Sequence, residues 1–174
     1  MFRRLEILLT VLIMACTVAV LINLVRLNST LRKADTTIMA AGECLLVGKE
    51  VQAVRNDAGT IRKTLVLCLR PGCRFCEESF EFYRRLVTKA RNHKGIQIVG
   101  ATSLPEDLGR SYFRVAGLKV EQVLDMTSNP IGLRGTPTLL LLNDRNLIVR
   151  SWEGKLSTKQ ESEVETTLFE SKGD

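Results

Sequence analysis

Between Thr64 and Cys76 the chain reads TLVLCLRPGCRFC. The stretch from Thr64 to Leu69 is a nearly unbroken apolar run of one strand's length, bounded by Lys63 and Pro71. A run without polar alternation belongs to a strand covered on both faces. Pro71-Gly72 then forces a turn. The following CRFCEESFEFYRRLVTKARN places Cys76, Phe80, Tyr83, Val87 and Ala90 at helical spacing. A buried strand that turns at once into an amphipathic helix is half of a strand–helix–strand unit. It excludes an all-β or all-helical reading of this region.

The rest of the chain extends that unit. IQIVGAT, 96–102, is a second buried strand. SLPEDLGRSYFRVAG opens with Ser103, Pro105 and Glu106, the pattern of a capping box with proline in the first turn, and ends at Gly117. VEQVLD supplies a short strand. TPTLLLLN, 136–143, and NLIVRSW, 146–152, form two strands joined at Asp144 and Arg145 as a hairpin, and Ser157 with Gln160 caps a last helix to about Phe169. Upstream, CLLVGKEVQAVRNDAGTIRK has short apolar pieces around Val51 and Val54 and a turn at Asp57 to Gly59, which reads as another hairpin. The expected architecture is α/β, a mixed sheet with helices on both faces.

Residues 1–27 have a separate character. From Ile7 to Val25 there is no charged side chain, and 19 residues at about 1.5 Å each span a bilayer core of about 30 Å. The run is longer than the apolar region of a cleavable signal peptide and lacks its small-residue cleavage pattern. A lipid-bearing Cys16 is disfavoured because TVAVLINLV continues apolar after it. The expectation is one uncleaved transmembrane helix over 1–27, a stalk or linker over 28–43, and a folded domain over 44–174. Arg3 and Arg4 face Arg26, Arg32 and Lys33 across the span, so charge alone does not orient it. The net charge of +6 is scattered, without a basic stripe interleaved with aromatics, so nucleic acid is excluded as a partner. Five unevenly spread cysteines exclude a disulfide scaffold.

Cys73 and Cys76 carry the chemistry. Cys73 stands at the strand-to-helix junction, where unpaired N–H groups stabilise a thiolate, and Arg74 beside it adds a cation that tunes its pKa down. Cys76 lies one turn deeper. That is an attacking thiol and a resolving thiol: the first forms a mixed disulfide with a substrate, the second displaces it. Two other uses of the pair stay open. Cys68, Cys73 and Cys76 give the C-x4-C-x2-C spacing of a metal or cluster site, with Cys44 or His93 as the remaining ligand. The pair is alternatively a structural disulfide. Trp152, the only tryptophan, reads as core, Cys68 as a buried thiol, and His93 as an exposed residue at a helix end.

On the CxxC junction at 68–91, RGTPTLLLLNDRNLIVRSWEG at 134–154 and the early VGKEVQAV…DAG, the chain resembles the thioredoxin-like superfamily over roughly residues 44–170. Within it, the chain looks closest to the membrane-anchored redoxin and thiol–disulfide oxidoreductase group. The resemblance implies a thioredoxin-like sheet, and a cis Pro137 facing the disulfide with the Thr136 backbone exposed to pair with an extended substrate. It also implies a domain outside the cytoplasmic membrane, periplasmic or extracellular. The expected partners are protein thiols or disulfides and a redox partner protein. No cofactor and no metal are implied. Peroxide-reducing relatives of the fold carry threonine or serine three residues before the reactive cysteine; Arg70 holds that place here. The sequence departs from the family in having Gly72 rather than an aromatic before Cys73, and Arg74-Phe75 between the cysteines. The competing readings are a catalytically silent thioredoxin-fold binding module at the membrane and a metal chaperone that uses the CxxC pair.

Overall fold

A computed structural model describes residues 14, 17–18, 20–23, 46–55, 60–128 and 130–170. The chain divides into two units, Met1–Gly42 and Glu43–Asp174. In the first, the described residues are helical and exposed, and the Thr17 hydroxyl donates to the Met14 carbonyl at 2.9 Å. Among the described residues no helix is long and apolar enough to cross a membrane. The expected anchor over 1–27 lies mostly outside them.

The second unit is a five-stranded mixed sheet with its helices. In chain order it comprises β1 (Lys63–Cys68), α1 (Arg74–Glu78), α2 (Phe80–Ala90), β2 (Ile96–Thr102), α3 (Glu106–Val115), β3 (Gln122–Asp125), β4 (Thr138–Leu142), β5 (Ile148–Glu153) and α4 (Thr158–Phe169). The strand order is β3-β2-β1-β4-β5. β2 runs parallel to β1 and β3 parallel to β2, whereas β4 is antiparallel to both β1 and β5.

The apolar runs explain the centre of this sheet. In β1 and β4 alternate residues enter opposite cores: Leu65, Leu67, Leu139 and Leu141 on one face, Val66 and Leu140 on the other. Both strands are central, so neither has a face to give to water. α2 buries Phe82, Tyr83, Leu86, Val87 and Ala90 against the first face, and α3 and α4 add Phe113, Val164 and Leu168 to the same core. The second face is covered among the described residues by segments around Leu46–Val54 and Met126–Ile131.

Helices on both faces, the expected layering, is therefore not what the described residues form. The reason is topological. From β1 to β2 to β3 the chain steps twice in the same direction across the sheet, and two right-handed crossovers in one direction place both helices on one face. α4 then packs beside α2, with Arg85–Glu161 at 3.0 Å and Lys89–Glu165 at 3.2 Å across the seam.

Two local expectations also differ. The turn of the expected hairpin, Asp57 to Gly59, lies outside the described residues, and the described residues on either side of it, 46–55 and 60–62, do not pair with one another. The first of these segments spends its backbone groups on the β4–β5 turn, with Gly48 N–H to the Ile148 carbonyl at 2.8 Å and Val51 N–H to that of Asn146 at 3.0 Å. At α3 the capping box does not form: Pro105 is the N-cap, without a side-chain acceptor, and Glu106 pairs with Arg110 one turn on at 2.5 Å. At α4 the box forms as expected, with Ser157 N–H donating to Gln160 Oε1 at 3.0 Å and Gln160 N–H to Ser157 Oγ at 3.4 Å.

Candidate active site

The register of the sheet builds the site. β4 is antiparallel to β1, so Thr138, which opens β4, pairs with Cys68, which ends β1. The loop entering β4 therefore lies beside the loop leaving β1. The first holds Thr136 and Pro137, the second Cys73.

On the β1 side the chain turns through Pro71 and Gly72. Gly72 has φ 69°, a left-handed conformation that a side chain would strain. The Cys73 N–H donates to the Arg70 carbonyl at 3.3 Å, and the Tyr112 hydroxyl donates to the same carbonyl at 3.3 Å. Cys73 is then the N-cap of α1, in extended conformation, and its Sγ accepts from the Cys76 N–H at 3.3 Å. A sulfur in this position takes over one of the unpaired N–H groups of the first turn. The helix restarts at Ser79, whose hydroxyl donates to the Phe75 carbonyl at 2.8 Å.

On the β4 side the Thr136–Pro137 peptide is cis. The Thr136 carbonyl accepts from Cys73 Sγ at 3.4 Å. Two bonds fix the loop: Thr138 Oγ1 donates to the Gly135 carbonyl at 2.9 Å, and the Gly154 N–H donates to that of Pro137 at 2.7 Å.

The two thiols differ in environment. Cys73 is 7% exposed and Cys76 is 0% exposed. Burial pushes the Cys73 thiol up. Hydrogen bonding to the side chains of Cys76 and Thr136, the Cys76 amide and the Arg70 guanidinium outweigh that, and hold it below the ordinary cysteine value. Burial pushes the Cys76 thiol up to about 11, and its hydrogen bond with Cys73 adds to the effect. Tyr83, in the same core, is also raised by burial, and negative charge on Cys76 and Cys73 pushes the same way.

Arg74, the expected tuning cation, turns elsewhere. Its Nε donates to Glu78 at 2.7 Å, the i, i+4 partner on α1, and Lys155 reaches the other Glu78 oxygen at 2.6 Å. The guanidinium that acts on Cys73 is that of Arg70. Sequence reasoning missed Arg70 in this role. The signal was a cation three residues before the cysteine, across a Pro-Gly turn that folds it back. Tyr112 was missed as well; nothing in the sequence links α3 to the Arg70 carbonyl. Phe75, between the cysteines, is 53% exposed.

The remaining thiol is set apart. Cys68 is in the core on the opposite face of the sheet from Cys73 and Cys76, and burial pushes its thiol up to about 12. His93 lies at the far end of α2, its ring 4.8 Å from that of Phe169. Among the described residues no three His, Cys, Asp or Glu side chains converge on a point that would hold a metal ion. Trp152 is 2% exposed and belongs to the core.

The thiol contrast has a direct readout. Alkylation of the reduced chain across pH should label Cys73 first, with a midpoint below that of an ordinary thiol, because a lowered pKa moves the thiolate to lower pH. Arg70→Ser should move the midpoint up. Faster labelling of Cys76 or Cys68 would contradict the assignment.

No family model matches the chain, and no curated protein matches it. Solved structures do resemble it. A thiol:disulfide interchange protein from Bacteroides sp. aligns with a TM-score of 0.52 and 17% identity, over 72% of this chain and 87% of that one. The thioredoxin domain of a thiol-disulfide oxidoreductase from Bacteroides vulgatus aligns with a TM-score of 0.50 and 17% identity, over 70% and 91%. With the mixed sheet, the CxxC at the end of β1 and the cis-proline loop at the start of β4, the chain has the thioredoxin-like fold.

Proposed function

We propose that this chain is a thiol–disulfide oxidoreductase that exchanges its Cys73–Cys76 pair with protein substrates. The observation that carries the reading is the asymmetry of the pair: Cys73 caps α1, accepts the Cys76 N–H at 3.3 Å and is held below the usual thiol range, while Cys76 is buried and raised to about 11.

The Cys73 thiolate attacks one sulfur of a substrate disulfide, a new S–S bond forms, and one substrate thiolate leaves. Cys76 gives up its proton and attacks Cys73 Sγ. The Cys73–Cys76 disulfide forms, and the second substrate thiol leaves with a proton. Two electrons have passed to the substrate. The reverse sequence oxidises a dithiol. Burial, with the hydrogen bond and charge of Cys73, keeps the resolver protonated in the reduced pair, and the share owed to Cys73 is lifted once Cys73 is bonded to substrate. The Thr136 carbonyl beside Cys73 Sγ marks where substrate backbone approaches.

The proposal includes an anchor: residues 1–27 span the cytoplasmic membrane once and hold the domain outside. Support comes from the uncharged run Ile7 to Val25. A dithiol outside meets an oxidising compartment and needs a redox partner protein to keep it reduced.

The test uses the full chain. Reduced protein should reduce a peptide disulfide, and activity equal to that of a small free thiol would overturn the exchange reading. Reporters fused after Asp174 should be active only where they work outside the cytoplasm. Activity of the inside reporter would replace this placement with a cytosolic one.

A further inference from the structure

A cleft of about 480 Å³ opens beside the reactive thiol, and the exchange steps make no use of it. It lies at the carboxyl ends of β1 and β2, between those strand ends and the loop that enters β4. Crevices outside the carboxyl ends of parallel strands are where open α/β sheets take ligands. Met126 and Leu133 contribute an apolar floor, and Arg70 and Arg134 stand at its lining. None of the lining residues is acidic. Both arginines are exposed, and neither pairs with a carboxylate among the described residues. Asp125, two residues before the lining residue Thr127, accepts from the Thr127 amide at 2.8 Å. The cleft also meets the site itself: Thr136 lines it, and the Thr136 carbonyl is 3.4 Å from Cys73 Sγ.

We propose that this cleft receives an acidic side chain lying next to the reacting cysteine of an extended peptide substrate, with Arg70 and Arg134 as its counter-charges. The inference rests on the exchange reading above. A substrate cysteine bonded to Cys73 sits at the edge of the cleft. An extended chain advances about 3.3 Å per residue, so a side chain one to two residues away reaches the interior. A glutamate fits both parts of the lining: its methylenes against Met126 and Leu133, its carboxylate against a guanidinium fork. The substrate class is thus a peptide with glutamate or aspartate beside its cysteine.

The experiment takes the reduced full chain in detergent and short cysteine peptides carrying thiopyridine on their sulfur. The peptides differ only in glutamate, glutamine or lysine beside the cysteine. Released thiopyridone gives the second-order rate constant. At low salt the glutamate peptide should react about fivefold faster than the glutamine one, the size of one partly exposed ion pair, and the lysine peptide slower than both. Added salt should shrink the ratio. In Arg134→Ser the glutamate-to-glutamine ratio should fall towards one, with Arg134→Lys recovering part of it; comparing the ratio within each variant removes any effect on folding or on the thiol. A ratio near one in the unaltered chain, or a ratio kept in Arg134→Ser, overturns the inference and leaves the exchange reading standing. Glutathione disulfide reacting faster than the glutamate peptide, and losing that rate in Arg134→Ser, overturns it in favour of a small carboxylate-bearing thiol. No reaction with any peptide overturns the exchange reading itself.

Discussion

Cys76→Ser is expected to accumulate mixed disulfides with partner proteins, and Cys73→Ser to accumulate none. Without the resolver, the adduct on Cys73 has no intramolecular exit and decays only by attack of an outside thiol. Without the attacker, nothing low in pKa stands at the start of α1; Cys76 is fully buried and raised to about 11, so little of it is thiolate at neutral pH. The readout is the set of reducible high-mass adducts on a non-reducing gel after acid quenching. The contrast is all-or-none, which separates this reading from its rivals. A silent binding module holds partners without a covalent bond and shows no adducts in either variant. Equal trapping by both variants would mean that the two thiols are interchangeable, which the burial difference does not allow.

Phe113→Ala is expected to lower the stability of the domain by about 3–5 kcal/mol, the usual cost of removing a buried aromatic ring. Phe113 is 1% exposed. Its ring lies over Gly100 in β2, so close that a Cβ there would stand 2.7 Å from two ring carbons. β2 accepts the ring only because position 100 has no side chain. The converse change, Gly100→Ala, should overpack the same contact and cost about 1–3 kcal/mol. Denaturant unfolding measures both, with the slope unchanged and the midpoint lowered. A loss under 1 kcal/mol for Phe113→Ala would mean that α3 is not fastened to the sheet through this ring.

Legibility in the sequence follows the range of the interaction. β2 spans the predicted 96–102, and the α4 capping box forms between the two residues that spell it, because an apolar run and an i, i+3 cap are local. The strand-to-helix junction at Cys73 was readable for the same reason. The cis peptide at Pro137 was implied by resemblance, and composition alone does not contain it. What failed depends on distant partners. The layering was misjudged because it turns on the placement of β3 at the sheet edge, next to β2. The segment near Val51 was misread because its hydrogen-bond partners are Asn146 and Ile148. Arg74 and Arg70 could not be told apart on proximity in sequence. The outcome is decided by Glu78, which lies one helical turn from Arg74 and engages it.

The most direct measurement of the central claim is an equilibrium redox titration of the full chain in glutathione buffers, with acid quench, alkylation and mapping of each cysteine. The midpoint also sets the direction of catalysis: a value near about −270 mV belongs to a reductant and one near about −120 mV to an oxidant. The account predicts one reversible two-electron transition in which Cys73 and Cys76 lose alkylation together while Cys68 keeps it after unfolding. No transition, or a disulfide that includes Cys68, would contradict it.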